Sequence, residues 1–269
     1  MSGPKRIVCL TEETTEALYL MGEENRIVGI SAFTVRPERA KTEKPVVSQF
    51  IRAKIDDIAA LDPDLVLAFS DLQADIVRDL VKAGLEVHAF NQRSVAGILA
   101  MIRLLGRLID REEKGESLAS RLEANLDAVR KRAAARSTRP RVYFEEWPDP
   151  IITGIRWVSE LIEIAGGEDV FADFRDRSLA KDRQATPAEV IGRKPDLYIA
   201  CWCGKKFREK EALARAGFAE APFTRPGRMI EIDPSIILQP GPAALTDGVL
   251  ALEQEIARVA ADLDAAASH

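Results

Sequence analysis

At 269 residues, 46% of them hydrophobic, the chain is long enough for two lobes of ordinary size or one large α/β domain, and either buries a full core without staples. Its 43 acidic and 38 basic residues give a net charge of -5, and no basic cluster is interleaved with aromatics, which argues against a nucleic-acid partner. No apolar stretch reaches the length of a membrane span or a signal-peptide core, and Cys9, Cys201 and Cys203 make no disulfide framework, so the expected compartment is the cytoplasm as the sequence stands, or the periplasm if a leader has been removed.

Residues 7–10 read as a buried strand. Thr11 stands where an N-cap belongs, opening a helix through Leu18 and Met21 that Gly22 ends. A second strand covers 27–30. Residues 31–50, with Pro37 and Pro45 and no clear periodicity, read as a long connection, and such connections tend to be functional. A short helix over 55–60, a strand over 65–69, a helix over 72–83, a strand over 86–90 and a helix capped by Ser94 toward Ile109 complete this half. Strands alternating with helices imply a mostly parallel sheet covered on both faces.

Residues 111–135 are charged and alanine-rich, lack proline, and hold one glycine, Gly115. Leu118, Leu122, Leu126 and Val129 recur at spacings of four, four and three, a narrow apolar stripe on one helical face. At a rise of about 1.5 Å, roughly 24 residues make a rod of about 36 Å, long enough to cross a domain. The segment reads as a strut, which gives an N-terminal α/β lobe over 1–110, a linking helix over 111–136 and a C-terminal α/β lobe over 137–269. A solvated helix inside one domain is the plainer alternative.

Beyond the strut the same grammar resumes, with a strand over 141–145 and a helix over 157–165 closed by Gly166 and Gly167. Thr186-Pro187-Ala188-Glu189 is a capping box with proline at the first helical position. A strand over 197–200, a helix over 205–216, a strand over 229–232 and a helix over 243–263 follow. Pro63-Asp64-Leu65-Val66-Leu67-Ala68 is echoed by Pro195-Asp196-Leu197-Tyr198-Ile199-Ala200, which supports two similar lobes.

Several stretches resemble one known family in their order and spacing. They are Arg6-Ile7-Val8-Cys9-Leu10 with the acidic helix start over 11–16, residues 26–31, residues 55–68, Gly84-Leu85-Glu86-Val87, and residues 160–171 with their Ala-Gly-Gly-Glu-Asp-Val-Phe core. Across nearly the whole chain they resemble the cobalamin and ferric-siderophore binding proteins of ABC importers, the substrate-binding class with a helical backbone. The resemblance implies two α/β lobes with mostly parallel central sheets, joined by one long rigid helix, and a ligand cleft between them. It implies a cargo, a cobalamin-like corrinoid or a ferric chelate, rather than a cofactor. It also implies an ABC permease as partner through acidic side chains, with Asp75 at the matching first-lobe position and Glu209 and Glu211 as loose second-lobe candidates. By position, Phe33, Phe50, Phe69, Trp147, Arg156, Trp157 and Trp202 would line the cleft, since rigid aromatic walls suit a flat amphipathic corrin. Each of these aromatics also has a plainer reading as core.

The two histidines, His88 and His269, cannot build the cluster that captures a free metal ion. Cys201 and Cys203, alternating at a strand end, are weak candidates for a soft metal, against the plainer reading of small buried thiols. There is no Gly-rich phosphate loop and no Ser or Cys with a histidine partner, and the adjacent Glu145 and Glu146 point to opposite faces of a strand, so no enzyme is expected. Cobalamin leads over siderophores because anionic chelates prefer a cleft rich in Arg and Lys, and Arg36, Arg52 and Arg156 are the obvious suppliers. The competing expectation is a cytoplasmic ligand sensor or carrier on the same fold, uncoupled from any transporter.

Overall fold

β1 (Ile7–Cys9) and β4 (Leu65–Phe69) are buried at every position and pair side by side in the computed structural model, which describes residues 3–267. Unbroken apolar runs are what a parallel sheet with both faces covered requires. β2 (Ile27–Ser31), β3 (Val46–Ser48) and β5 (Val87–Phe90) complete a five-stranded, wholly parallel sheet in the order β3-β2-β1-β4-β5. The structure corrects the expectation of one long connection over 31–50, which contains β3 and a short helix, Ala40–Glu43. Ile30 N–H donates to Pro45 O at 2.9 Å and Ala32 N–H to Ser48 O at 2.8 Å. Three residues at a sheet edge, with Val46 half exposed, carry no legible alternation.

Two helix starts also differ. Thr11 holds the N-cap position of the Glu12–Leu20 helix, but its hydroxyl caps nothing. The expected helix over 72–83 begins at Ala74, because Ser70 takes φ 62 and Asp71–Gln73 forms a tight turn first.

The second sheet is built around β6 (Arg141–Pro148). With β7 (Ile151–Thr153), β9 (Gln184–Ala185), β10 (Leu197–Ala200) and β11 (Met229–Glu231) it runs β11-β10-β6-β7-β9, and the two-residue β8 (Glu168–Asp169) also pairs with β6. β7 and β9 are antiparallel additions that the sequence pattern does not announce. The capping box forms as expected, with Glu189 N–H donating to Thr186 Oγ1 at 3.2 Å and Thr186 N–H to the Glu189 carboxylate at 2.7 Å. The chain is thus α/β with two central sheets, and the helix expected over 205–216 shortens to Glu209–Leu213.

The predicted strut is one continuous helix, Glu112–Ala134, with Leu118, Leu122, Leu126 and Val129 all buried. The chain divides into two compact units, and the division falls inside this helix between Glu123 and Ala124. In the first unit Arg103 grips Glu116 at 2.9 Å and Glu123 at 2.8 Å; in the second Arg132 and Arg136 converge on Glu253. Gly115 faces Gly106 of the preceding helix, Val95–Leu108. A Cβ on Gly106 would stand 2.8 Å from the Gly115 Cα. Gly106→Ala should therefore destabilise the protein by about 1–3 kcal/mol through overpacking, although alanine alone favours a helix by about 1 kcal/mol. Urea unfolding measures this, and a more stable variant would refute the close crossing.

Candidate functional site

Open parallel sheets bind ligands beyond the carboxyl ends of their strands. At that edge of the first sheet Gln73, fully buried, ties three segments together. Its side-chain amide donates to Leu10 O at 3.2 Å and Phe50 O at 2.8 Å, and its oxygen accepts the Phe69 N–H at 2.9 Å. Around this anchor Phe33, Ile51 and Leu72, following β2, β3 and β4, are each more than half exposed, at 55%, 61% and 57%. Phe50 is half-buried. Phe69 lies within the sheet at 4% exposure, and its contribution to the edge is a backbone one.

The same edge of the sheet carries two adjacent buried carboxyls, following β1. Glu12 accepts the Val35 N–H at 2.6 Å. Burial pushes it up to about 7, against the pull of that bond, and the Glu16 and Glu13 charges add to the rise. Glu13, 1% exposed, is likewise pushed up to about 7 by burial, with its own amide and the nearby Thr11 hydroxyl working the other way. The Gln92 side-chain amide donates to Pro240 O at 2.9 Å, and Gly241 packs against Glu13. Sequence reasoning took Glu12 and Glu13 only as an acidic helix start, since acids commonly open helices. The available signal was their position directly after a fully buried strand.

The corresponding edge of the second sheet is built differently. Glu145, fully buried on β6, accepts Tyr198 Oη at 2.8 Å, Trp202 Nε1 at 2.7 Å, both Arg215 nitrogens at 2.6 and 3.0 Å, and the Tyr143 hydroxyl. Burial, then the Glu145 charge, holds both phenols well above their usual range, so they act as neutral donors. Glu146 points to the other face, as strand geometry requires, and accepts Ile155 N–H at 2.6 Å and Arg183 at 3.0 Å.

The second-lobe aromatics divide by burial. Trp202, 1% exposed, is core: it donates to Glu145 and packs edge-on against Phe207. Trp157, 3% exposed, donates to Ile237 O at 2.9 Å. Trp147 is half-buried, with Lys205 Nζ 4.4 Å from its ring centre. Arg156 pairs with Glu160 at 2.8 Å and Asp176 at 3.3 Å, and in the first unit Arg36 pairs with Glu16 at 3.0 Å. Two of the three expected anion-binding arginines are thus already neutralised.

Cys201 is buried and Cys203 exposed, and burial raises both thiols above their ordinary range. No group of three metal-ligating side chains occurs among the described residues. His88 stacks edge-on against Phe90 with its pKa lowered by burial, and His269 lies outside the described residues. Asp75 is exposed and bonded to Arg78 at 2.6 Å; Glu209 and Glu211 sit on a five-residue helix of the second unit. Among the described residues no helix is long and apolar enough to cross a membrane.

Comparison with known proteins defines the class. The family described as periplasmic binding protein matches residues 7–236, and the chain belongs to that family. The vitamin B12-binding protein of Vibrio campbellii is 30% identical over 205 residues, 74% of this chain and 72% of that protein. An uncharacterised ABC transporter substrate-binding lipoprotein, YvrC of Bacillus subtilis, is 25% identical over 262 residues, 94% of this chain and 80% of its own length. Among solved structures, the periplasmic heme-binding protein RhuT of Roseiflexus sp. RS-1 in apo form superposes with a TM-score of 0.78 at 24% identity, covering 94% of this chain and all of that one. The protein is therefore a substrate-binding protein of the ABC-importer type, not an enzyme, and its small-molecule ligand is cargo.

Proposed function

We propose that the cargo is a cobalamin-like corrinoid, and that the chain is organised as lobes over 1–110 and 137–269 with a linking helix over 111–136. One observation carries this reading: the carboxyl edge of the first sheet is amphipathic, carrying both the exposed Phe33, Ile51 and Leu72 and a set of buried, unpaired polar groups. A corrin is flat and apolar on its faces and polar around its rim, and this edge offers both surfaces in one place. Phe33, Phe50, Trp147 and Arg156 are the direct ligand contacts, while Phe69, Trp157 and Trp202 support them from the core. The Vibrio campbellii relative, named for vitamin B12 binding, supports the same choice. Delivery to a permease uses the exposed Asp75 carboxylate, and the working location is the periplasm, a reading supported by the Bacillus subtilis relative named as an ABC transporter substrate-binding lipoprotein.

The test is a titration of the apo-protein with cyanocobalamin, hemin and a ferric hydroxamate, following tryptophan fluorescence and ligand absorption. Cyanocobalamin should saturate at one equivalent, and Phe33→Ala should weaken it by about tenfold or more, the expected effect of removing an aromatic wall. Saturation by hemin or the iron chelate with no response to cyanocobalamin would overturn the corrinoid assignment.

A further inference from the structure

Buried oxygens without a well-formed hydrogen bond gather along the carboxyl edge of the first sheet: Thr11 Oγ1, Glu12 Oε1, both carboxyl oxygens of Glu13, Thr34 Oγ1, Ser48 Oγ and Gln92 Oε1; the Thr11 hydroxyl and the Glu13 amide lean on the Glu13 carboxyl but fall short of hydrogen-bond geometry. Each belongs to a side chain at least nine-tenths buried, and they lie at or just beyond the carboxyl ends of β1, β2, β3 and β5. Contacts within the unit bring them together. Val35 N–H on Glu12 sets Thr34 beside that carboxyl, and Ala32 N–H on Ser48 O joins the β2 and β3 ends. Glu13 lies against Gly241, whose Cβ, if present, would be 2.5 Å from that of Glu13, and Gln92 donates to the adjoining Pro240. Buried polar atoms are almost always paired in folded proteins, so a concentration of unpaired ones at a ligand-binding edge marks where a ligand completes the bonding.

The complement needed is a set of donors. The group contains two carboxyls and an amide oxygen, which accept, three hydroxyls, which do either, and no Lys, Arg or His. Arg36, whose charge reaches Glu12, is held by Glu16. A primary carboxamide brings two N–H donors and one acceptor. It pairs with a carboxylate through its N–H groups, and with a protonated carboxyl through an N–H in one direction and the acid O–H in the other. A ligand carboxylate brings only acceptors and like charge, and would be repelled.

Resting on the corrinoid reading above, we propose that this edge takes the primary amide side chains of the corrin rim, with Glu12 and Glu13 as their acceptors, and so selects amidated corrinoids over carboxylated ones. The test compares cyanocobalamin with its monocarboxylic acids, each carrying one hydrolysed rim amide, at pH 8 on the wild-type protein and on Glu13→Gln and Glu12→Gln. At least one monoacid should bind about tenfold or more weaker than the parent to the wild type, because a site built for a donor rejects the analogue that lacks it. That penalty should shrink to a few-fold in Glu13→Gln or Glu12→Gln, whose neutral amides neither repel a carboxylate nor lack a donor. Monoacids that all bind within about twofold of the parent, or a penalty unchanged in both variants, would overturn the proposal while leaving corrinoid binding intact. Failure of cyanocobalamin itself to bind would overturn both.

Discussion

Glu145→Ala should cost about 3–5 kcal/mol of folding stability, the loss expected when one partner of a buried ion pair is removed. The carboxylate is fully buried and receives Tyr143, Tyr198, Trp202 and a two-pronged Arg215. Truncation strands the guanidinium, the two phenols and the indole N–H in the core at once. Burial works against the Arg215 charge, and the Glu145 carboxylate is the largest influence offsetting it, so without Glu145 the guanidinium loses its main support. For a chain of this size the melting temperature should fall by roughly 10 °C. Urea midpoints and thermal melts read the effect, and a loss below about 1 kcal/mol would show that the network is dispensable. Glu145→Gln keeps the shape but not the charge and should fall between the two.

Lowering the pH from 8 to 5 should stabilise the ligand-free protein by about 3 kcal/mol, opposite to the usual acid response of carboxylates. Glu12 and Glu13 sit near 7 in the folded protein against an ordinary 4.5. Below about 4.5 both states hold these protons and the sites cost nothing. Between 4.5 and 7 the unfolded chain ionises while the folded sites do not, so the native state loses ground with each unit, and above 7 the loss is complete. The carboxyls are adjacent, with Glu16 and Arg36 acting on Glu12, so the pair is counted once rather than twice. Burial raises Glu146 and Asp169, which act in the same direction. Glu253 beside Arg132, and Asp173 beside Arg193, are held low and oppose this only at more acidic pH. Urea unfolding at pH 5, 6, 7 and 8 tests it, and Glu13→Gln should flatten the profile. Stability that climbs from pH 5 to 8 would contradict the raised values.

The sequence was most legible where one physical signal dominated. The Leu118-Leu122-Leu126-Val129 stripe predicted a helix within a residue of its observed end, and the Thr186–Glu189 capping box formed as written. β4 and β10 were recovered at both ends because unbroken apolar runs after Pro-Asp have few other homes. Three-residue β3 and β7 and two-residue β8 and β9 were missed, since elements so short show no period and are fixed by their neighbours. Among candidate site residues, aromatic identity was visible but direction was not. Trp202 follows a strand as Phe33 does, yet one is core and the other stands in solvent, because Glu145, distant in sequence, supplies the indole with a partner. Glu12 and Glu13 were hidden for the converse reason: nothing local distinguishes an acid that favours a helix start from one buried at a sheet edge.

The three thiols differ in a way that makes the protein easy to instrument. Cys9 is sealed in β1 with its thiol pushed up to about 12 by burial, and Cys201 is buried with its thiol likewise raised. Cys203 alone reaches the surface. Alkylating reagents act on thiolate they can reach, so at alkaline pH, which offsets the rise that burial gives the Cys203 thiol, the native chain carries one addressable sulfur, two residues from Lys205 and its cation contact with Trp147. A fluorophore attached there reports from the carboxyl edge of the second sheet without any engineered cysteine.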